Sequence, residues 1–459
     1  MCGLIAILDR HAGGWDISSS EKALARGLEF MARRGLPGRS GIVHHKGGAS
    51  IGHVRLPIID LSDASDQPFH HSSGAVYAFV GEIFNYKFLD EKAPSDTYLL
   101  GNILYDQGTS GFHVFDGFWS VVYAQGHTAF AITDYLSQKP LYFHRDKAMV
   151  ASEPGAIVAA LGEPLTQDSV YFSNVLKWGY DPAGRTPYQE IVQLPAGHVL
   201  MHWQKVWNLY PYWDWTRIPY DPNLNGLLIE ATRNRLVGDR PVGLLLSGGL
   251  DSTIIFKILT ELLGSQIQVF HAENNENQYL EAALGGYPSR PLRVPPVTIE
   301  EALVAHQVPV DLGSMVPQLA LAKALRHEDY YVCMSGDGAD EAFGGYPRAK
   351  EYDSQGSDLF VELPYYHHPR LDRLMMAETV ELRSPYLAPK VIRHAMNLPW
   401  HHRQAKEALK NAFSAHLPRM ILDRAKHPLK TQAVVQGGIA YRQELIDTWL
   451  RRIGQWPLR

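Results

Sequence analysis

Short apolar runs recur along the chain, each closed by glycine, proline or acidic residues. In the first half they read as strands at residues 75–80, 118–124, 129–133 and 140–143. A further apolar run opens the chain, from Gly3 to Leu8. In the second half the pattern alternates. Residues 242–246, 266–272, 292–294 and 330–334 read as strands, while 254–263 and 316–325 carry apolar positions at helical spacing. A helix is expected from Asn223 through Arg235, and Thr298-Ile299-Glu300-Glu301 has capping-box spacing. Strands alternating with helices imply a parallel sheet that binds ligands at the strands' C-terminal ends. The chain therefore divides into residues 1–205, an aromatic connector at 206–222, and 223–459. Trp207, Tyr210, Tyr212, Trp213 and Trp215 in the connector suit packing between two domains.

The most informative stretch is Leu246-Ser247-Gly248-Gly249-Leu250-Asp251-Ser252-Thr253. A strand, a glycine turn and a helix start make an anion site, because first-turn N–H groups lack partners and the helix dipole favours negative charge. Ser247, Ser252 and Thr253 add hydroxyls. The loop lacks the lysine and the spacing of a Walker A sequence. Asp251 cannot hold a bare phosphate by charge, so it reads as a magnesium ligand. A second loop, Ser335-Gly336-Asp337-Gly338-Ala339-Asp340-Glu341, also follows a strand and would face the same crevice. Residues 406–410 read as part of an exposed, charged helix. At the other end of the chain, removal of Met1 would give Cys2 both a thiol and an α-amine of pKa near ~8. One residue would then supply nucleophile and base. A buried cysteine in a first strand is the plainer alternative.

Taken together these motifs resemble the glutamine-dependent asparagine synthetase family. Ser247-Gly248-Gly249-Leu250-Asp251-Ser252 resembles the pyrophosphate loop of enzymes that split ATP to AMP and pyrophosphate. The 335–346 block, Glu381-Leu382-Arg383-Ser384-Pro385-Tyr386-Leu387 and Arg424-Ala425-Lys426 resemble the family's other synthetase segments. Arg34-Gly35, His53-Val54-Arg55-Leu56, Gly81-Glu82 and Ser95-Asp96 resemble its glutaminase domain. The resemblance implies a two-domain α/β protein. Its first half would be an αββα N-terminal-nucleophile sandwich, and its second a parallel-sheet ATP-pyrophosphatase domain. Cys2 would attack glutamine's amide, Arg55 would pair with its carboxylate, and Glu82 and Asp96 would hold its ammonium group. Gly81 would give its N–H to the oxyanion. Leu246, Ser247, Gly248, Gly249, Asp251, Ser252, Thr253, Ser335 and Gly336 would bind ATP. Asp251 and Asp340 would hold Mg2+, and Asp337 and Lys426 would act at the reacting centre. Aspartate is the implied acceptor, with another small carboxylate or a nucleotide-binding regulatory protein as the alternatives. Two departures stand out. Val80 replaces the Asn that would donate beside Gly81, and Ala388 replaces the Asp closing the Pro-Tyr-Leu stretch. Losing one oxyanion donor typically slows a reaction about 10²–10³-fold.

Composition narrows the setting. A net charge of −5 implies no basic surface for nucleic acid. No apolar run approaches the length of a membrane span. Two cysteines, Cys2 and Cys333, exclude a disulfide framework and a multi-cysteine zinc site. The N-terminus lacks the basic region of a secretory signal, so a cytoplasmic protein is expected. The pairs His44-His45, His70-His71, His367-His368 and His401-His402 read as surface or loop histidines, since adjacent residues point different ways. A homodimer is a family expectation only.

Overall fold

The computed structural model describes residues 2–203, 206–272, 277–346, 357–424 and 438–453. Two six-stranded antiparallel sheets form its first half. One runs, edge to edge, Ile191–Gln193, Tyr142–His144, Met149–Ala151, Gly3–Ile7, Ser50–Val54 and Ser40–His44. The other runs Val206–Pro211, His198–Trp203, Thr128–Thr133, Gly117–Gln125, Val76–Ile83 and Phe69–His70. Side chains alternate across each strand, which assigns every face. Leu4 and Ala6 point between the sheets with Ala78, Val80, Val122 and Ala124. Ile5 and Ile7 point the other way, against helices Ile17–Phe30 and Pro154–Leu161. Tyr77, Phe79, Trp119 and Val121 face helix Asp96–Gln107 through Leu99, Leu100 and Leu104. Both faces of the Gly3–Ile7 strand are buried, so it reads as an unbroken apolar run rather than an alternation. The αββα sandwich implied by the resemblance is the fold observed.

The second half holds a five-stranded, wholly parallel sheet in the order Arg290–Leu292, Gln268–Ala272, Val242–Leu245, Val332–Met334, Glu381–Arg383. Sequence order runs outward in both directions from Val242–Leu245. The topological switch therefore lies between that strand and Val332–Met334, where a ligand crevice opens in such sheets. Both glycine loops leave these two neighbouring strands. Several boundaries differ from expectation, and residues 206–211 of the expected connector form an edge strand of the sandwich. The helix after the first loop is Leu250–Leu263, so Asp251, Ser252 and Thr253 lie in its first turn rather than in a preceding loop. The third strand ends at Leu292 because Pro295 and Pro296 follow and cannot donate to a ladder. The capping box at Thr298 and Glu301 forms as expected.

The two halves meet through aromatic and charged side chains. Tyr135, Trp213 and Trp215 pack ring to ring, with Tyr135 4.8 Å from Trp213 and 5.5 Å from Trp215. The Tyr135 hydroxyl lies 2.9 Å from the carbonyl of Leu387 in the second half. Deeper in, Asp372 takes Arg34 at 2.8 Å and Lys139 at 3.1 Å, and Arg34 also holds Glu153 at 2.9 Å. Arg34 and Asp372 are fully buried. Asp372→Ala would leave both cations buried with one acid fewer. It should lower the unfolding free energy by about 3–5 kcal/mol, read by urea denaturation. An unchanged midpoint would show that the junction does not rest on this acid.

Candidate active site

Two sites can be built from these elements. In the sandwich, Cys2 precedes the Gly3–Ile7 strand, and its thiol lies 3.9 Å from the Leu56 carbonyl. Arg34 donates to the Cys2 carbonyl at 2.9 Å, which fixes the backbone there. Burial pushes the Cys2 thiol up to about 11, although Arg55 and positive charge at the N-terminus pull the other way. Such a thiol reacts only if a base takes its proton.

The neighbouring strand Val76–Ile83 brings Gly81 and Glu82 into place. Phe79 gives its N–H to Gln67 at 2.6 Å, and Ile83 gives its N–H to Asp96 at 3.1 Å. Alternate N–H groups of a strand leave by the same edge. Gly81 lies between these two, so its N–H points off the same edge, where the strand is paired only at Val76 and Tyr77. Its φ of +147° suits glycine, and an added Cβ would come within 2.0 Å of the Phe118 carbonyl. Val80 is buried in the same apolar cluster as Cys2 and offers no donor. Arg55 is turned to its own loop, donating to Ser62 at 2.7 Å, Asp66 at 2.8 Å and Ile59 at 3.2 Å, and also to Asp60. A carboxylate ligand would have to displace some of these acceptors.

Glu82 and Asp96 are both buried. Burial pushes the Glu82 carboxyl well up, reinforced by Glu381 and Asp96 and opposed by Arg383. Burial likewise raises Asp96 to about 7, although the N–H groups of Ile83 and Thr97 stabilise its charge. An arriving ammonium group would restore their ionised forms. Sequence reading gave His53 no role. Its ring is buried, lies 3.2 Å from the Phe79 carbonyl and is held neutral, pushed down to about 3 chiefly by burial. It pins the strand from which Gly81 projects.

The second site lies at the switch of the parallel sheet. Gly249 caps helix Leu250–Leu263 without a side chain, so the first-turn amides are left for a ligand or water. Gly248 has φ +69° and sits where a Cβ would meet the Leu280 backbone N at 2.8 Å. Ser247 and Ser252 face each other at 3.1 Å. Thr253 is buried, and its hydroxyl turns back to the Gly249 carbonyl at 2.7 Å. Leu246 gives its N–H to Phe270 at 2.8 Å. In the second loop, Ser335 donates to Asp337 at 2.6 Å, and Arg370 grips the same carboxylate at 3.1 Å. A Cβ on Gly336 would lie 2.7 Å from that of Asp251, so the two loops touch.

Lys406 is a correction. Expected on an exposed helix, it is buried, and its ammonium lies 2.5 Å from Asp251 and 2.6 Å from Asp340. Burial opposes its charge, but the two acids outweigh burial and push the group up. Ala405 and Lys406 both have positive φ, +54° and +61°, a conformation that L residues adopt under constraint. Their N–H groups are tied to Gly344 at 2.9 Å and Phe343 at 3.1 Å. His367 and His368 are a second correction. Both are buried, on the turn and helix that pack between the halves. Lys426 lies outside the described residues. Arg424 of the same element reaches the Ser247 carbonyl at 3.3 Å.

A sandwich of this fold joined to a parallel sheet with two glycine loops at its switch point is the architecture of an amidotransferase coupled to an ATP-using synthetase. A glutamine amidotransferase domain matches residues 1–213, and asparagine synthase matches residues 223–364 and 354–453. The chain belongs to the asparagine synthase family. It is similar to a probable glutamine-hydrolysing asparagine synthetase of Acanthamoeba polyphaga mimivirus, 27% identical over 93% of this chain and 84% of that one. The enzyme of the same name from Sandersonia aurantiaca is 26% identical over 93% and 86%. Amidase chry2 of Gibberella zeae is 28% identical over 85% of this chain and 64% of its own length.

Lowering the pH through about 7 protonates Asp96 and removes a charge that would face glutamine's ammonium group. The KM for glutamine should therefore rise below that pH, by up to about tenfold per unit. In Asp96→Asn it should be high throughout and the slope should disappear. A pH-independent KM in the parent would remove Asp96 from glutamine binding.

Proposed function

We propose that the chain makes asparagine from aspartate and glutamine at the expense of ATP. The observation that carries this reading is the convergence of Asp251 and Asp340, one from each glycine loop, on the single ammonium of Lys406. Two acids so spaced suit a shared cation beside a polyphosphate. In the sandwich, Cys2 attacks glutamine's amide carbon. The Cys2 α-amine, freed by removal of Met1, takes the thiol proton and passes it to the departing ammonia. Gly81 donates its N–H to the oxyanion, and water then releases glutamate from the thioester. Arg55 holds the substrate carboxylate, and Glu82 and Asp96 hold its ammonium group.

At the other site, an oxygen of the acceptor carboxylate attacks the α-phosphorus of ATP. Pyrophosphate leaves and an acyl-adenylate forms. Activation is needed because a carboxylate is a poor electrophile. Ammonia attacks the acyl carbon, AMP departs and the amide remains. The first-turn amides after Gly249, with Ser247 and Ser252, receive phosphate oxygens. Magnesium takes oxygen ligands, so the Asp251 and Asp340 pair fits it. When bound it would supply positive charge against the departing pyrophosphate. Lys406 holds the two acids together, Asp337 faces the reacting centre, and Lys426 would add a cation. No helix among the described residues is long and apolar enough to cross a membrane, and Cys2 and Cys333 are both free. A cytoplasmic setting agrees with both.

Cys2→Ala should abolish amide synthesis from glutamine and leave synthesis from ammonium intact. Product from glutamine in that variant would mean another nucleophile. Asp251→Asn should lose pyrophosphate release with either nitrogen source while still making glutamate from glutamine. Retention of full release would take Asp251 out of the metal site. Running pyrophosphate exchange across small acids fixes the acceptor; exchange with another acid and none with aspartate would replace aspartate.

A further inference from the structure

Arg55 is 3% exposed, and its two terminal nitrogens are both engaged within the protein. Each of them carries two hydrogens. Nη1 donates to the Ser62 carbonyl at 2.7 Å and to Asp66 at 2.8 Å. Nη2 donates to the Ile59 carbonyl at 3.2 Å and to the Asp60 carbonyl. A carboxylate pairs best with two parallel N–H groups on one edge of the guanidinium. The planar group has two such edges, Nε with Nη2 and Nη1 with Nη2, and both include Nη2. Glutamine's carboxylate therefore docks on two nitrogens of Arg55 only after the Ile59 or the Asp60 carbonyl has left.

Those carbonyls are tied from the far side. The peptide between Ile59 and Asp60 has its C=O on Arg55 and its N–H on Asp239 Oδ2, at 2.7 Å. One rigid plane therefore spans the two side chains. Asp239 belongs to the synthetase half. Its own N–H reaches the Ile58 carbonyl at 2.8 Å, and Arg240 Nε reaches the Pro57 carbonyl at 2.6 Å. Residues 57–60 of the sandwich thus hang on two residues just ahead of strand Val242–Leu245, whose far end carries the first glycine loop. Asp60 is left-handed, with φ +57°, a region that costs an L residue energy even though Asp tolerates it better than most. Turning the 59–60 peptide over would carry Asp60 out of that region. The same movement would withdraw the Ile59 carbonyl from Arg55 and break the bond to Asp239.

We propose that the Ile59–Asp60 peptide is a latch on the glutamine site, and that Asp239 is the positioning residue that holds it shut. Glutamine binds by displacing this peptide from Arg55, and the synthetase half sets how readily it is displaced. Only hydrogen bonds are exchanged. The inference rests on the reading that Arg55 takes glutamine's carboxylate. Asp239 is exposed, so replacing it removes the hold on the latch without opening a cavity.

Two measurements on the full-length protein test it. The first is equilibrium binding of L-glutamine in a Cys2→Ala background, where nothing turns over. Adding Asp239→Ala should tighten binding by about three- to tenfold, the worth of one hydrogen bond. Asp239→Asn keeps an acceptor for the Asp60 N–H and should bind as the parent does. With Cys2 in place, Asp239→Ala should lower the KM for glutamine by the same factor and leave kcat for glutamate formation unchanged, a split that general loosening of the fold does not produce. The second measurement is amide hydrogen exchange across residues 57–62. L-glutamine should speed exchange at the Asp60 amide, whereas a ligand that only covers a segment slows it. Equal or weaker binding in Asp239→Ala would overturn the latch and leave Arg55 as glutamine's partner. Glutamine bound with no faster exchange at Asp60 would overturn it in the same way. Binding seen in Asp239→Ala and not in the parent would support it. No glutamine binding in any variant would remove the glutamine reading of Arg55, and the latch with it.

Discussion

One buried carboxylate registers the two halves of this protein. Asp372 belongs to the synthetase half, yet its partners Arg34 and Lys139 come from the sandwich. Removing these charges from water costs several kcal/mol each, and their mutual attraction roughly offsets that. The pair therefore adds little net stability over an apolar contact of the same shape. What it adds is direction. Aromatic surfaces such as Tyr135 on Trp213 slide at small cost, whereas an unpaired buried charge does not tolerate a shift. Arg34 also holds the Cys2 carbonyl, and Lys139 lines a cavity between the halves beside His368. A single ion cluster thus sets Cys2, the junction and the cavity between the halves relative to one another.

The synthetase crevice depends on a second arrangement of charge. Asp251 and Asp340 would repel each other across the touching loops, and Lys406 relieves that repulsion. The backbone holds Lys406 there at the expense of two left-handed residues, Ala405 and Lys406, each anchored to the Phe343–Gly344 turn. Strain of this kind persists only where surrounding contacts enforce it. The second glycine loop therefore supplies one acid of the pair and also the two carbonyls that position the shared cation.

Much of this was legible in the sequence, for physical reasons. The glycine loops announce themselves because a strand, a turn and a helix start are encoded locally. The sandwich strands were visible because their apolar runs are short and bounded. The buried state of Lys406 was not, since an isolated lysine near other charged residues reads as solvated, and its burial depends on acids 155 and 66 positions away in the chain. His367 and His368 failed for the same reason: the sandwich covers them, and nothing adjacent in the sequence signals it. Arg55 reads from the sequence as a carboxylate partner by resemblance alone, and nothing in the local pattern shows that its own loop occupies it. The Gly81 N–H is open because Gln67 and Asp96, at other points in the chain, satisfy its neighbours. Long-range contacts decide each of these cases, and local pattern carries no trace of them.

Val80 acts on the candidate glutamine site through its neighbours as well as through the donor it lacks. A two-donor oxyanion hole that loses one side-chain donor typically slows about 10²–10³-fold. That figure assumes the other donor is undisturbed. Here the remaining donor is well held: Phe79 is fixed at its N–H by Gln67 and at its carbonyl by His53, and Ile83 is fixed by Asp96. The edge is rigid on both sides of Gly81. Val80 is buried in the same apolar cluster as Cys2, and a charge developing in so apolar a site would gain more from each donor that is present. The loss of a donor and an apolar surrounding act in opposite directions, so on the proposed reading the penalty for Val80 falls toward the lower end of that range. On the proposed reading, the substitution slows ammonia release rather than removing it.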